Sequence, residues 1–342
     1  MKNNQSKYIF WFGLLSLLTI AMFFANIYLG SVPIKACDVS SLLFGDGSGV
    51  ANSYRFIVME SRLPMSITAL LGGAALAASG LLLQTTFRNP LAGPSILGIN
   101  SGASLGVAFV MLLAGGTLSV GLTSVSGSMA VIAGALIGSG LIMGILLLFS
   151  AWLKNSLTVL ISGMMVGYLA SSIIMLLNYT ASAEGLQSYV LWGMGNFNSV
   201  TNERLPVFVG VIVIGLVLSV LLVKPLNLFL LGDNYARNLG VNINRLRNLL
   251  LLATGILSAG VTAYCGPIAF IGLAVPHIAR MIFQTDDHRV LMPGSIIIGA
   301  SVALVCNIIC TVPENVYLPL NGVTPLVGVP VILYVIIKRK IS

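Results

Sequence analysis

Histidine and cysteine, the side chains that most often bind metals or act as nucleophiles, are few and widely spaced in this chain. It has two histidines, His277 and His288, and four cysteines. Cys306 and Cys310 would share one face of a helix, a spacing that can hold a metal ion, but no histidine or carboxylate accompanies them in the same apolar segment. We therefore expect these cysteines to pack as small apolar side chains. No set of residues predicts catalysis or a resident metal.

The chain also lacks the residues with which a P-loop protein hydrolyses ATP. No glycine is followed by lysine, so a Walker A phosphate loop is absent. Proton-coupled carriers instead keep titratable groups inside the membrane, where each costs at least roughly 2.5–3.5 kcal/mol to insert. No Asp, Glu or Lys falls within an apolar segment, and His277 and Arg280 lie near the end of one. This argues against proton coupling, but a sodium site made of backbone carbonyls leaves an ion-gradient-driven secondary transporter open as the alternative function.

Composition and segment length predict an all-α polytopic membrane protein. Of the 342 residues, 57% are hydrophobic and 8% are charged, which leaves too little polar surface for a soluble domain. A membrane-spanning helix needs roughly 20 apolar residues. About ten segments approach that length, and we expect them to form a single transmembrane domain over residues 1–342. The segments are 8–29, 63–84, 96–114, 124–151, 157–178, 205–223, 248–264, 266–283, 293–312 and 323–337.

The basic residues predict how these segments are oriented. Ten spans put both termini on one side, and cytoplasmic termini would leave only Lys35, Arg55, Arg62 and Arg204 outside among the basic residues. This distribution follows the positive-inside rule. The net charge of +8 is thereby explained by topology and gives no reason to expect nucleic-acid binding. We expect a multi-pass protein of the cytoplasmic (inner) membrane, surrounded by lipid, with both termini cytoplasmic.

Two apolar stretches are interrupted in ways that a simple membrane-spanning helix does not need. Residues 62–106 contain a Gly-, Ala- and Ser-rich segment, a polar break at Arg88-Asn89-Pro90 and a second Gly-rich segment. Residues 266–280 read GPIAFIGLAVPHIAR and carry two prolines, which interrupt the helical hydrogen-bond ladder. Small residues allow helices to approach closely. Five spans per half would also place corresponding helices in opposite orientations, as in an inverted repeat.

These two regions, together with LGDNYARNLG at residues 231–240, resemble the signature motifs of the FecCD/BtuC-type permeases, and the resemblance covers most of the chain. Such permeases are the membrane subunits of ATP-binding-cassette importers for iron chelates, haem and cobalamin. The resemblance implies about ten transmembrane helices with an inverted five-helix pseudo-repeat. It also implies a homodimer, two ATPase subunits that bind ATP and Mg²⁺, and an extracytoplasmic substrate-binding protein. The chain itself would then need no cofactor and would be a transport subunit, not an enzyme.

The resemblance assigns the cytoplasmic loop 224–247 to contact with the ATPase. The family segment Leu-Gly-Glu-x-x-Ala-x-x-Leu-Gly is matched with Asp in place of the usual Glu. Its short helices are expected to dock in a groove of the ATPase through apolar contacts, a tight turn and an arginine that pairs with acidic groups. The matching residues are Leu231, Gly232, Asp233, Ala236, Arg237, Leu239 and Gly240.

A gate and a pore are also implied by the resemblance. The cytoplasmic gate would match Asn155 and Ser156, between the fourth and fifth spans. The pore would lie at the dimer axis between the fifth and tenth spans, and the outer loop 179–204 would fold as a short helix over its mouth. The candidates for its weakly polar lining, which alternatively pack between helices, are Ser162, Ser171, Ser172 and Asn178.

We expect structural roles for the motif residues at the two breaks. His277 would bond a freed carbonyl beside Pro276, with a proton relay as the alternative, and Arg280 would extend to the lipid headgroups. The glycines would let neighbouring backbones fill the gaps. The residues assigned to these motifs are Arg88, Asn89, Pro90, Gly266, Pro267, Gly272, Pro276, His277 and Arg280.

On the outer side, arginines of well-known family members pair with glutamates of the binding protein. Arg62 matches one such position, whereas Met65 and Thr311 stand where the family has two others. We expect docking contacts from Arg55, Arg62 and Arg204. The implied cargo is a bulky metal chelate, with iron–siderophore or haem first and cobalamin next.

Overall fold

The computed structural model describes residues 2–113, 117–120, 123–153, 155–230, 232, 238, 240, 242–313 and 316–341 of the chain. Helices dominate these residues, as predicted. The helices of the first half are α1 (Lys2–Tyr28), α2 (Ala36–Phe44), α3 (Asn52–Phe56), α4 (Leu63–Thr86), α5 (Ile99–Ala108), α6 (Ser128–Trp152) and α7 (Ser156–Thr180). Those of the second half are α8 (Ala183–Gly193), α9 (Leu205–Leu221), α10 (Val223–Leu230), α11 (Ile243–Cys265), α12 (Ile271–Phe283), α13 (His288–Thr311) and α14 (Leu320–Ile341).

Within the described residues, the apolar helices correspond in order to the ten predicted spans. Six helices are long and apolar enough to cross a membrane, and α9 with α10 forms a seventh candidate that bends by 47°. The shorter apolar helices are Ile99–Leu113, α12 and Leu320–Tyr334. The prediction of an all-α polytopic membrane protein is confirmed. The predicted short helix in the 179–204 loop is also present, as α8.

Several boundaries differ from the prediction because local backbone preferences override apolar content. Two short strands, β1 (Thr117–Val120) and β2 (Thr123–Ser126), pair antiparallel, so α6 begins later than expected. Its Thr and Val residues favour extended backbone. The segment predicted over 266–283 becomes helical only at Ile271, because Gly266 and Phe270 take φ angles of 75° and 68°.

The centre of the fold is α4, which packs on α13, α11, α12 and α9. Nearly all of its residues are buried, and Gly and Ala are frequent among them. Gly73 lies against the backbone of Gly299 in α13, and Gly80 lies against the carbonyl of Gly272 in the first turn of α12. A side chain at either position would collide with backbone, so the small residues are what allow these helices to approach.

The second closely packed pair is α5 with α6, where Gly102 and Gly106 face Gly138 and Gly134. The helices α4, α5, α6 and α7 can be matched in order to α11, α12, α13 and α14. Helix pairs that are equivalent under this matching are both in contact. The pair α4–α13 corresponds to α11–α6, and the pair α5–α7 corresponds to α12–α14. This recurrence agrees with the inverted repeat expected from five spans per half.

In contrast, the main contacts of α7 among the described residues lie along one side, with α5, α6 and the π-helical segment Phe109–Leu113. Its opposite side is apolar and exposed. The large exposed side chains on α7 are Leu157, Ile161, Met165, Tyr168, Leu169, Met175, Leu176 and Tyr179. In a membrane protein such a surface contacts lipid or another subunit.

Candidate functional site

The candidate residues fall at the two ends of the helical bundle. We call one the α10 end. It contains α10, the polar break that follows α4, and the turn between α12 and α13. The other is the α8 end, which holds residues 30–62 and the chain from α8 to Arg204. The two ends are joined by α4, which begins at Leu63 and finishes at Thr86.

At the α10 end, His288 joins three helices while remaining only 1% exposed. Its Nε2 lies 2.8 Å from Thr85 Oγ1 in α4, and its Nδ1 lies 2.8 Å from Asn227 Oδ1 in α10. Asn227 Nδ2 donates to Asp287 Oδ1 at 2.6 Å. Buried polar groups that are fully paired hold their elements in one arrangement. The network therefore ties α10 to both α4 and α13, and sequence reasoning missed it.

A second connection to α10 comes from Arg88, in the polar break after α4. Its Nη2 donates to the Phe229 carbonyl at 3.2 Å, and its guanidinium lies 5.5 Å from the centroid of the Phe229 ring. Arg88 takes a φ of 46°, which turns the chain out of α4. Asn89 accepts from the backbone N–H of Leu91 through Oδ1 at 2.9 Å and so closes the turn. The predicted structural role of this break is consistent with these contacts.

His277 and Arg280 both contact the break after α4 or α4 itself. His277 Nε2 lies 2.8 Å from the Pro90 carbonyl, so this side chain contacts the break. Arg280 Nη1 donates to Gln84 Oε1 at 2.7 Å, and its Nε lies 3.6 Å from Asp286. Protein acceptors therefore hold the guanidinium, which had been expected to extend to the headgroups. Both side chains fasten α12 to α4 and its break.

The extended chain from Gly266 to Phe270 is held by Asn321, another residue that sequence reasoning missed. The backbone N–H of Ala269 donates to Asn321 Oδ1 at 3.1 Å. Asn321 Nδ2 donates to the Gly193 carbonyl at 3.0 Å and also to the Pro267 carbonyl. One amide thus satisfies backbone groups that the missing helical turn leaves open. Gly272, another motif residue, lets the first turn of α12 approach α4.

The two residues assigned to the gate lie where α6 passes to α7. Asn155 caps α7, since its Oδ1 accepts from the backbone N–H of Leu157 at 2.9 Å, and Ser156 is the first residue of that helix. The contacts of this pair are local to the start of α7, and their role as a gate stays a prediction. Ser162, Ser171 and Ser172 each donate to the carbonyl four residues earlier in α7.

Close to this corner lies Arg247, a buried arginine that the sequence analysis did not identify. It is 1% exposed in the first turns of α11. Its Nε donates to Ser150 Oγ at 2.9 Å, and its Nη2 donates to the carbonyls of Ser150 and Leu153 at the end of α6. The carbonyls at a helix carboxyl end lack partners within their own helix, and a cation there is favourable. Arg247 therefore fastens α6 to α11.

Most of the predicted ATPase contact lies outside the described residues, namely Leu231, Asp233, Ala236, Arg237 and Leu239. The two glycines of the motif are described. Gly232 and Gly240 have φ angles of 103° and 83°, which favour glycine. Their contact with an ATPase stays a prediction.

At the α8 end, Arg62 is held by acceptors within the protein. This residue is 4% exposed, and its guanidinium donates to the carbonyls of Ile27, Tyr28 and Val32 at the end of α1. These bonds make Arg62 a buried link between α1 and the start of α4, and its contact with a binding protein stays a prediction. Arg55 is exposed, and Arg204 donates to Ser128 Oγ at 2.5 Å. These two arginines also remain candidates for docking.

Comparison with known proteins gives a consistent result. The model of the FecCD transport family matches residues 17–338. The vitamin B12 import system permease protein BtuC of Salmonella typhi is 34% identical over 285 residues, which cover 82% of this chain and 83% of that protein. The BtuC protein of Salmonella newport (strain SL254) matches to the same extent.

Solved structures also match. A transporter described as of the metal-chelate ABC type, in an inward-facing conformation, has a TM-score of 0.83 and 27% identity, over 96% of this chain and 98% of that one. PsaBC from Streptococcus pneumoniae, solved in complex with Fab, has a TM-score of 0.51 and 16% identity, over 80% of this chain and 89% of that one. The latter likeness concerns the fold alone.

Proposed function

The chain belongs to the FecCD transport family, and we propose that it is the membrane-spanning permease subunit of an ATP-binding-cassette importer. The observation that carries this proposal is the 34% identity to BtuC over 82% of the chain, together with the family match over residues 17–338. The chain has no Walker A loop, so ATP and Mg²⁺ would be bound by a separate ATPase. The permease itself needs no cofactor and catalyses no reaction.

The α10 end supports contact with that ATPase. The segment from Leu231 to Gly240 directly follows α10, and α10 is joined to α4 and α13 through Asn227 and His288. A displacement of this segment by the ATPase would therefore pull on the central helices rather than on a loose loop. The seven motif residues of this segment are the proposed contact, and Asn155 and Ser156 are the proposed cytoplasmic gate.

We also propose that two copies assemble, with two ATPase subunits. The exposed apolar side of α7 supports this, since it is large and continuous along the helix. At the α8 end an extracytoplasmic binding protein would dock, with Arg55 and Arg204 as contacts. Both termini would be cytoplasmic in the inner membrane, with residues 1–342 forming one transmembrane domain. The cargo would be a bulky metal chelate, iron–siderophore or haem first and cobalamin next.

Uptake measurements test the function directly. A deletion strain would be compared with the same strain carrying this gene, using radiolabelled iron as siderophore and as haem, and radiolabelled cobalamin. We expect gene-dependent uptake of at least one of these, and co-purification of the chain with the cognate ATPase. Absence of any such association would contradict the proposal.

The alternative function, an ion-gradient-driven secondary transporter, differs from the proposed function in its energy source. Collapsing the membrane gradients while ATP is maintained should leave uptake intact for an ATP-binding-cassette importer, because ATP hydrolysis supplies the driving force. Uptake that stops under these conditions would favour a secondary transporter.

A further inference from the structure

A polar recess with a volume of 350 Å³ lies among α5, α7, α8, the extended chain at 266–270 and the first turn of α14. Its position differs from the other polar clusters because it adjoins both α7 and α14, the fifth and tenth apolar helices, between which the pore is proposed. The polar side chains that line it are Ser95, Asn100, Ser101, Ser104, Ser171, Tyr189 and Asn321.

Asn100 is the unusual member of this set. It is 8% exposed, and its Oδ1 accepts from Ser258 Oγ at 3.1 Å and from Thr262 Oγ1 at 3.2 Å, both in α11. Its Nδ2 has no acceptor among the described residues, although the side chain lines the recess. Rotating the amide would present Oδ1 to the recess instead, so one amide atom faces the cavity in either orientation. The amide atom that faces the recess is therefore a hydrogen-bonding group available to a ligand that enters it.

The walls of the recess are held in place without a ligand. Asn321 fixes the extended chain at 266–270 through the bonds to Ala269, Gly193 and Pro267. On the opposite side, the Tyr189 ring stacks on Trp192 with 6.3 Å between centroids, and its phenol is hydrogen-bonded to Ser104. A site built in advance loses little conformational entropy when its ligand binds.

The chemistry of the lining indicates a neutral ligand. No Asp, Glu, Lys, Arg or His is among the described residues that line the recess. Burial raises the pKa of the Tyr189 phenol, so it remains protonated and able to donate at neutral pH. A carboxylate placed here would lose hydration without gaining a counter-charge, whereas amides and hydroxyls could exchange hydrogen bonds with the wall. The volume is near the lower end of small-molecule sites, roughly 300–1,000 Å³, so it suits one part of a bulky chelate.

We propose that this recess binds a neutral hydrogen-bonding group of the transported chelate, of the amide, hydroxamate or hydroxyl class, with Asn100 as its central contact. The proposal rests on the permease function proposed above and narrows its cargo. It favours neutral chelates rich in amides or hydroxamates over haem, whose propionates are anionic. The recess would hold the cargo briefly at the side of the pore, since a few neutral hydrogen bonds bind weakly.

The test uses the full permease assembled with its ATPase in lipid nanodiscs. The probes are ferrichrome and cyanocobalamin, which are neutral and rich in amides, and haemin as the anionic probe. Asn100→Leu removes the amide at similar volume and should weaken binding of a neutral probe by about three- to tenfold, the effect of losing one or two hydrogen bonds. The double variant Ser258→Ala/Thr262→Val removes the two hydrogen bonds that Asn100 Oδ1 accepts from α11 and leaves the Asn100 amide in place. It should alter stability but retain the binding of the probe.

A labelling experiment reports on the recess even where Asn100→Leu does not fold. Ser104→Cys in a Cys37→Ser background would be reacted with a maleimide, with and without each probe. We expect ferrichrome or cyanocobalamin to slow the reaction at least about threefold, because the occupied recess covers Ser104.

The outcomes separate this proposal from the permease function. An assembled complex that imports a neutral chelate but shows no protection of Ser104→Cys, or unchanged binding in Asn100→Leu, would overturn the recess as a site. Protection or import with haemin alone would also overturn it, because the proposed ligand is neutral. A chain that does not associate with an ATPase would instead remove the permease function.

Discussion

Two helices of nearly equal length, α4 and α7, are both apolar throughout but are used in opposite ways. Of the most apolar 18 residues in the helical stretch Asn52–Thr86, which ends with α4, 83% are buried. Of the most apolar 18 residues in α7, 28% are buried. The buried residues of α4 include seven glycines or alanines between Gly72 and Gly80, while the outer side of α7 carries large Leu, Met and Tyr side chains. Hydrophobicity alone therefore does not distinguish the scaffold from a surface available to a partner.

The size of the side chains does distinguish α4 from α7. Small residues on α4 bring its backbone against those of α12 and α13, so that polar side chains at its ends can reach partners on other helices. On α7 large apolar side chains are exposed, and Ser162, Ser171 and Ser172 donate to carbonyls of the same helix. We infer that the part of the molecule around α4 is built to stay rigid, and that the outer side of α7 is completed by lipid or by a second copy.

The largest expected effect comes from breaking the scaffold at Gly80. In Gly80→Val the new side chain would collide with the Gly272 carbonyl, and we expect a loss of at least about 4 kcal/mol of stability and little folded protein. Gly140→Val on α6 is the matched control, since a Cβ there meets nothing within 4 Å. The measurement is the yield of monodisperse protein after detergent extraction. Equal yields for the two variants would contradict the packing described for α4.

The second-largest effect is expected at Arg247, which joins α11 to the end of α6. Arg247→Met should lower the free energy of unfolding by roughly 2–4 kcal/mol, because the carbonyls of Ser150 and Leu153 lose a charged donor. Arg245→Met, two residues away and exposed, should change it by no more than about 0.5 kcal/mol. Thermal denaturation in detergent would measure both. A similar loss in the two variants would show that burial of Arg247 has no energetic role.

The next prediction tests whether the scaffold extends to α10. Asn227→Ala removes the bonds to His288 and Asp287, and we expect transport per ATP hydrolysed to fall by about three- to tenfold while the ATPase still binds. Lys224→Ala, on an exposed position of the same helix, is the control. The two rates would be measured in proteoliposomes. Transport and hydrolysis that fall together would indicate lost assembly rather than lost coupling.

The smallest effect on stability is expected on α7, where a substitution should reveal a neighbour without disturbing the fold. Leu176 is 70% exposed, and Leu176→Cys in a Cys37→Ser background should form a disulfide-linked dimer under mild oxidation if two copies meet along α7. Leu141→Cys, 59% exposed on α6, should remain monomeric. Electrophoresis without reductant would distinguish them. Linked dimers in both variants, or in the control alone, would argue against an α7 interface.

Local sequence was sufficient for the helices and for the positions of the breaks. The apolar segments, the polar turn at Arg88-Asn89-Pro90 and the interrupted start of α12 all follow from residues close together in the chain. The strand β2 was missed because residues 124–126 belong to the apolar segment predicted over 124–151. The burial of Arg62 was missed for a different reason, since it depends on α1 and on the chain up to Val32.

By itself the sequence determined the class of the protein and the number and order of its apolar segments, because composition and run length are properties of the chain read in order. Only the tertiary structure decided which polar side chains meet. Thr85 and His288 are 203 positions apart, and Asn100 and Ser258 are 158 apart. Their pairing depends on how each helix is rotated and how closely small residues let it approach its neighbours, and no local pattern encodes that rotation.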